Sequence, residues 1–139
     1  MKIINFPLIE NDDGSLVKIL YEKSEVTANI REIYLNNVFF KKTKGWIFHK
    51  KANIYLCVVK GEVDISLIKK EELPKGYKAV EQIKLNDNKK NALFIKNNTW
   101  FKFTGISKNV STVLVLSDLS HDQNERLKCH HNSLPFFDS

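Results

Sequence analysis

Lys44-Gly45-Trp46-Ile47-Phe48-His49-Lys50-Lys51, followed by Asn53-Ile54-Tyr55-Leu56-Cys57-Val58-Val59-Lys60-Gly61-Glu62-Val63, decides how this chain is read. Aromatic and β-branched residues crowd both runs, as they do where side chains pack on a pleated surface. The polar residues between the runs mark a turn, and Gly61 marks a second one. A strand, a short turn and a longer strand ending in a glycine turn follow. Side chains on a strand alternate between its faces, so Ile47 and His49 share a face. That places one imidazole among aromatic residues.

The same punctuation repeats outward. Short apolar runs bounded by Asn, Asp, Gly or Lys predict strands over Leu16–Glu22, Ile30–Leu35, Trp46–Lys50, Ile54–Val59, Glu62–Ile68, Ala79–Leu85, Asn91–Ile95, Phe101–Gly105 and Thr112–Asp118. Little helical periodicity lies between them. The fold class is all-β, a barrel or sandwich. Lys69–Gly76 is a charged excursion, a loop or one helical turn. Ser120–Leu127 offers a capping Ser or Asp with Glu three residues on, and predicts a short terminal helix. We expect one domain over 1–139, with its core at about 12–127 and a C-terminal tail at 128–139.

With 139 residues, the chain is long enough to bury a real core and too short for much more. Its 42% hydrophobic content is that of a globular protein. No apolar run reaches the roughly 18 residues of a membrane span, and Met1–Pro7 lacks the pattern of a signal peptide. Cys57 and Cys129 show neither metal-ligand spacing nor a disulfide framework, so a reducing cytoplasm is the expected location. The net charge of +6 is spread as lysines along the whole chain, often beside Asn. Scattered lysines do not make a nucleic-acid surface. They leave room for a small anionic ligand.

Taken in order, these segments resemble the small sugar-nucleotide cupins related to dTDP-4-dehydrorhamnose 3,5-epimerase and the neighbouring sugar 3,4-ketoisomerases. Asp13-Gly14-Ser15-Leu16 resembles that family's early strand start, and Ile30–Tyr34 the strand before its site. Lys44-Gly45-Trp46-x-x-His49 is similar to its "R/K-G-x-H-x-H/Q" strand, and Val59-Lys60-Gly61-Glu62-Val63 to its "V-x-G-x-V" turn. Asn97–Phe103 stands where the family has "P-P-G-x-W-H-G-F". Leu116–Asp122 resembles its closing strand and "H-D-P" turn. The resemblance implies a single-domain cupin jelly roll, a homodimer, a nucleotide-sugar ligand and no cofactor.

Three departures bear on mechanism. The position of the epimerases' histidine base is Ile47, that of an enolate-stabilising lysine aligns with Ile54, and that of the "W-H-G-F" histidine is Phe101. None of these can carry a proton. His49 remains, either as a ligand-facing base or as a barrel-mouth histidine bonded to a neighbour; the resemblance favours the first. Metal cupins need His-x-His, a following Glu and a later His, a set that is broken here, so no metal is expected.

The resemblance thus implies a sugar-nucleotide epimerase or isomerase of surface-polysaccharide biosynthesis. It would abstract a proton next to the C4 ketone of a 4-keto-6-deoxy sugar. His49 is the implied base, with Tyr34 or Tyr55 as the proton donor. Arg31, Lys44 and Lys51 would meet the substrate, the first two at its diphosphate. Trp46 or Trp100 would serve as a stacking surface, against the alternative that both are core. A different class, a cupin that binds a sugar or sugar nucleotide without turning it over, accounts for Ile47 and Ile54. His121-Asp122 is expected to be a structural turn, and His130-His131 part of the tail, docking on a partner subunit.

Overall fold

The computed structural model describes residues 2–26, 29–120, 122 and 124–135. Among the described residues twelve strands form: β1 (Lys2–Asn5), β2 (Leu8–Asn11), β3 (Gly14–Val17), β4 (Glu32–Val38), β5 (Thr43–His49), β6 (Ile54–Lys60), β7 (Glu62–Lys69), β8 (Glu81–Asn86), β9 (Asn91–Ile95), β10 (Thr99–Gly105), β11 (Ser111–Ser117) and β12 (Arg126–Lys128). One five-stranded sheet has the order β1-β9-β6-β11-β4, and a second the order β12-β5-β10-β7-β8. Neighbours pair antiparallel, and β2 with β3 makes a separate hairpin. This is a jelly roll.

Period-two alternation sorts the side chains. Ile54, Leu56 and Val58 of β6, Phe101 and Phe103 of β10, and Val113 and Val115 of β11 meet between the sheets, joined by Ile47 of β5. The alternate residues are also buried, because both outer faces are covered. Tyr55, Cys57 and Leu116 lie under Phe6, Val17, Ile19, Val26 and Ile30 of the N-terminal segment. Trp46, Phe48, Ile68 and Trp100 lie under Leu73, Ala79 and Val80 on one side and Leu127, Cys129 and Leu134 on the other. Strands buried on both faces read as unbroken apolar runs rather than as alternation. The β6–β7 turn depends on Gly61, whose φ of 81° suits glycine and whose missing Cβ would stand 2.5 Å from Ser111 Oγ.

Several expected elements take other forms. The strand placed at Leu16–Glu22 ends at Val17, and the chain then crosses the outer face of the first sheet. There the Ser24 hydroxyl donates to the Ile19 carbonyl and accepts from the Val26 N–H, an irregular path held by side-chain bonds. The excursion after β7 is a pair of 3-10 turns over Lys70–Ala79, broken at Gly76. β1 and β2 arise outside the expected strands; a strand as short as β1 exists because β9 offers it an edge. The terminal helix expected over Ser120–Leu127 is a correction. Among the described residues this stretch is an Asx turn at Asp122, where Oδ1 accepts the Asn124 N–H, followed by β12. Glu125 caps no helix because its carboxylate is engaged elsewhere. His121 lies outside the described residues.

Candidate active site

Two strand edges frame a cleft with acid–base chemistry. It opens between β4, the edge of the first sheet, and β5 with β12, the edge of the second. The cleft measures about 270 Å³ and takes Tyr34, Asn36, His49, Ser117, Glu125 and Arg126 into its wall. Its floor narrows to about 10 Å³ between Ile47, Ile54, Phe101 and Val115. The three departures named above therefore sit side by side beneath His49. A second cleft, of about 250 Å³, lies toward β1 and β8. Leu67, Ile68, Phe94 and Ile95 line it with Lys2, Lys69, Glu81, Lys96 and Thr99, and its described lining includes no histidine.

His49 ends β5 on the inward face, 14% exposed, with its ring near-parallel to that of Phe101 at 6.2 Å. Its Nδ1 lies 2.9 Å from Glu125 Oε2. An ionised carboxylate only accepts, so Nδ1 carries the proton, and when the ring is neutral the lone pair is on Nε2, the nitrogen not engaged by Glu125. The other oxygen of Glu125 accepts the N–H of Lys51 at 2.9 Å and of Ala52 at 2.8 Å. Burial pushes the Glu125 carboxyl up. The bonds from Ala52, His49 and Lys51, with the attraction of His49, outweigh it and hold the group below the usual carboxylate range. The imidazole is thus fixed in both tautomer and orientation.

Tyr34 and Asn36 project inward from β4. Burial, the largest effect, raises the Tyr34 phenol; Arg126 opposes the rise and Glu32 adds to it. The phenol therefore keeps its proton at neutral pH and can donate it. Lys44 owes its place to a bulge. The β5–β10 register passes from Ile47 opposite Phe101 to Gly45 opposite Lys102, skipping Trp46, and sets Lys44 opposite inward-facing Phe103. Gly45 permits this at φ 110°, where a Cβ would stand 2.7 Å from the Phe101 carbonyl. The Lys44 ammonium then reaches Asn36 Oδ1 across the cleft mouth.

His49 and Tyr34 thus share one cleft, and Lys44 touches its edge through Asn36; the other expected residues do not reach it. Tyr55 is corrected: it lies on the opposite face of β6 from Ile54, packed against Phe94 at 5.0 Å. Trp46 and Trp100 are buried in the outer cluster of the second sheet, one residue out of phase with Ile47 and Phe101, and offer no stacking surface. Arg31 is exposed and outside the cleft wall; its backbone N–H donates to the Ser117 carbonyl. Lys51 contributes its backbone, holding Glu125, and its side chain is not part of the wall. The His130-His131 segment folds back on its own barrel, where Lys102 Nζ donates to the His131 carbonyl at 3.0 Å. Glu125 and Arg126 escaped the sequence reading. The one signal was His49 itself, since an inward histidine needs an acceptor to set its tautomer, but its partner stands 76 positions away.

The jelly roll is the fold of the cupin-type sugar epimerases and isomerases. The chain belongs to the family described as FdtA: WxcM-like, C-terminal, which matches residues 1–133. No curated protein matches the chain by sequence. Solved structures share the fold. A dTDP sugar isomerase from Desulfovibrio desulfuricans G20 matches with a TM-score of 0.82 at 19% identity, over 94% of this chain and 84% of that one. QdtA, a sugar 3,4-ketoisomerase from Thermoanaerobacterium thermosaccharolyticum solved in complex with TDP, matches at 0.78 and 24% identity, over 93% and 88%. A 3,4-ketoisomerase from Helicobacter canadensis matches at 0.77 and 26% identity, over 91% and 88%.

Proposed function

We propose that the chain is a sugar-nucleotide isomerase of the ketoisomerase or epimerase kind, acting in surface-polysaccharide biosynthesis. The observation that carries this reading is His49, with Nδ1 committed to Glu125 and Nε2 not engaged by it, in the wall of a cleft that contains a protonated phenol. A carbonyl acidifies the C–H beside it, so one base suffices and no cofactor is required. His49 takes the proton next to the C4 ketone of a nucleotide-linked 4-keto-6-deoxy sugar, and Tyr34 supplies one in return. The 6-deoxy carbon suits the apolar floor of Ile47, Ile54 and Phe101. At about 270 Å³ the cleft accommodates the sugar. The diphosphate lies at the mouth, near Lys44.

The test is solvent exchange. Incubated in deuterium oxide with dTDP-4-keto-6-deoxyglucose, the protein should place deuterium on a carbon next to the ketone, read by NMR or mass spectrometry. Lys44→Ala should weaken binding several-fold, and added salt should narrow the gap between variant and parent. The apolar floor favours a second reading, a cupin that binds the sugar without turning it over. Binding without exchange by the parent would select it.

A homodimer belongs to the same proposal. β4 is a free sheet edge whose outer face shows Leu35 at 63% exposure, and Phe39 beyond it is 68% exposed. The β2–β3 hairpin shows Leu8, Ile9 and Leu16. Apolar surface at an unpaired edge needs a cover, and a second copy supplies both halves. Sedimentation equilibrium should give twice the chain mass; a monomer at micromolar concentration would refute it.

A further inference from the structure

Proton abstraction beside a ketone leaves negative charge on oxygen, and the reaction proposed above needs a group to receive it. Ile54 and Phe101 cannot. The Lys44 ammonium is held by Asn36 at the mouth, and the Lys51 side chain is not in the wall. Arg126 remains. In the β12–β5 register it stands directly opposite His49. Paired residues on antiparallel strands project from one face with Cβ atoms about 5 Å apart. Arg126 accordingly lines both the cleft and its floor, together with Tyr34. Its Nε is shielded from solvent and has no hydrogen-bond partner. A buried donor without a partner carries a free-energy cost that an incoming acceptor would remove.

We propose that the Arg126 guanidinium is the catalytic cation that binds the ketone oxygen and stabilises the enolate formed there. As His49 Nε2 takes the proton, the C–H pair becomes the new C=C bond. The carbonyl π pair moves onto the oxygen and is held by the guanidinium N–H donors. Return of a proton to carbon from Tyr34 restores the C=O bond, and the proton on His49 passes through solvent to the tyrosinate, which resets both groups. Electrons and protons balance within sugar, His49 and Tyr34. Once His49 has taken the proton, the His49–Glu125 pair carries no net charge, so Arg126 supplies the cation that faces the enolate.

This rests on the isomerase reading, and the tests separate the two. Arg126→Gln should lower deuterium uptake by about a hundredfold or more, with binding of dTDP-4-keto-6-deoxyglucose by calorimetry within about fivefold; Arg126→Lys should recover part of the loss. Exchange by Arg126→Gln within threefold of the parent would overturn the role of Arg126 and leave the isomerase reading intact. A parent that binds the sugar nucleotide without exchanging it would overturn the isomerase reading. A second measurement needs no folded variant at Arg126. Arg31 and Arg126 are the only arginines, so protein labelled with nitrogen-15 arginine gives two Nε–H resonances, assigned with Arg31→Lys. The keto sugar nucleotide should shift the Arg126 signal, and dTDP alone should not. An unmoved Arg126 signal at saturation would refute the contact.

Discussion

Replacing His49 by asparagine should reduce solvent-deuterium uptake into a 4-keto sugar nucleotide by about a hundred- to ten-thousand-fold, the usual contribution of one well-placed base. Binding should stay within a few-fold of the parent, because asparagine keeps a polar group of similar reach. Ile47, Ile54 and Phe101, which border the ring, cannot take over, and Glu125 faces Nδ1. Tyr34 keeps its proton. Single-turnover exchange beside calorimetric binding measures both quantities. Parental exchange rates in His49→Asn would place the base elsewhere.

Substitutions at Glu125 should divide stability from chemistry. Glu125→Ala strips the acceptor from the N–H groups of Lys51 and Ala52, and Ala52 is buried. An orphaned buried donor costs about 1–3 kcal/mol, so a loss of about 2–4 kcal/mol is expected in urea unfolding. Glu125→Gln keeps one carbonyl oxygen for those amides but turns an N–H donor toward His49 Nδ1. The imidazole must then accept at Nδ1 and carry its proton on Nε2, which removes the base. Exchange should fall by about a hundredfold or more, with a smaller change in stability. The pH dependence has a definite sign. The folded carboxyl lies below its unfolded value, about 4.3 for glutamate. Its stabilisation is therefore complete above that value and disappears as pH falls through the folded pKa. The midpoint temperature of the parent should decline on acidification more steeply than that of Glu125→Gln, as scanning calorimetry would show. Equal slopes would mean that Glu125 is not linked to folding.

The core strands were legible because β-branched and aromatic runs have the length and spacing of a jelly roll, from Ile54 to Val115. The inward direction of His49 followed from its parity with Ile47. Sequence order likewise disclosed the family.

What escaped the sequence depended on what covers each face. Alternation says that Trp46 and Ile47 face opposite ways; it does not say that both faces are buried. Only the folded N- and C-terminal segments and the excursion after β7 decide that the tryptophans and Tyr55 are core. Lys44 would follow the parity of Trp46 but for the bulge after Gly45, a backbone event that a strand pattern does not carry. Arg126 belongs to a three-residue strand with no periodicity of its own, which exists because the edge of β5 is open to it, and Glu125 sits in the turn that leads into that strand. By itself, the sequence determined the sheets, the inward histidine and the family. Tertiary structure decided the site's charge and its tautomer, because these depend on which distant backbone amides and side chains an edge strand brings within hydrogen-bond reach.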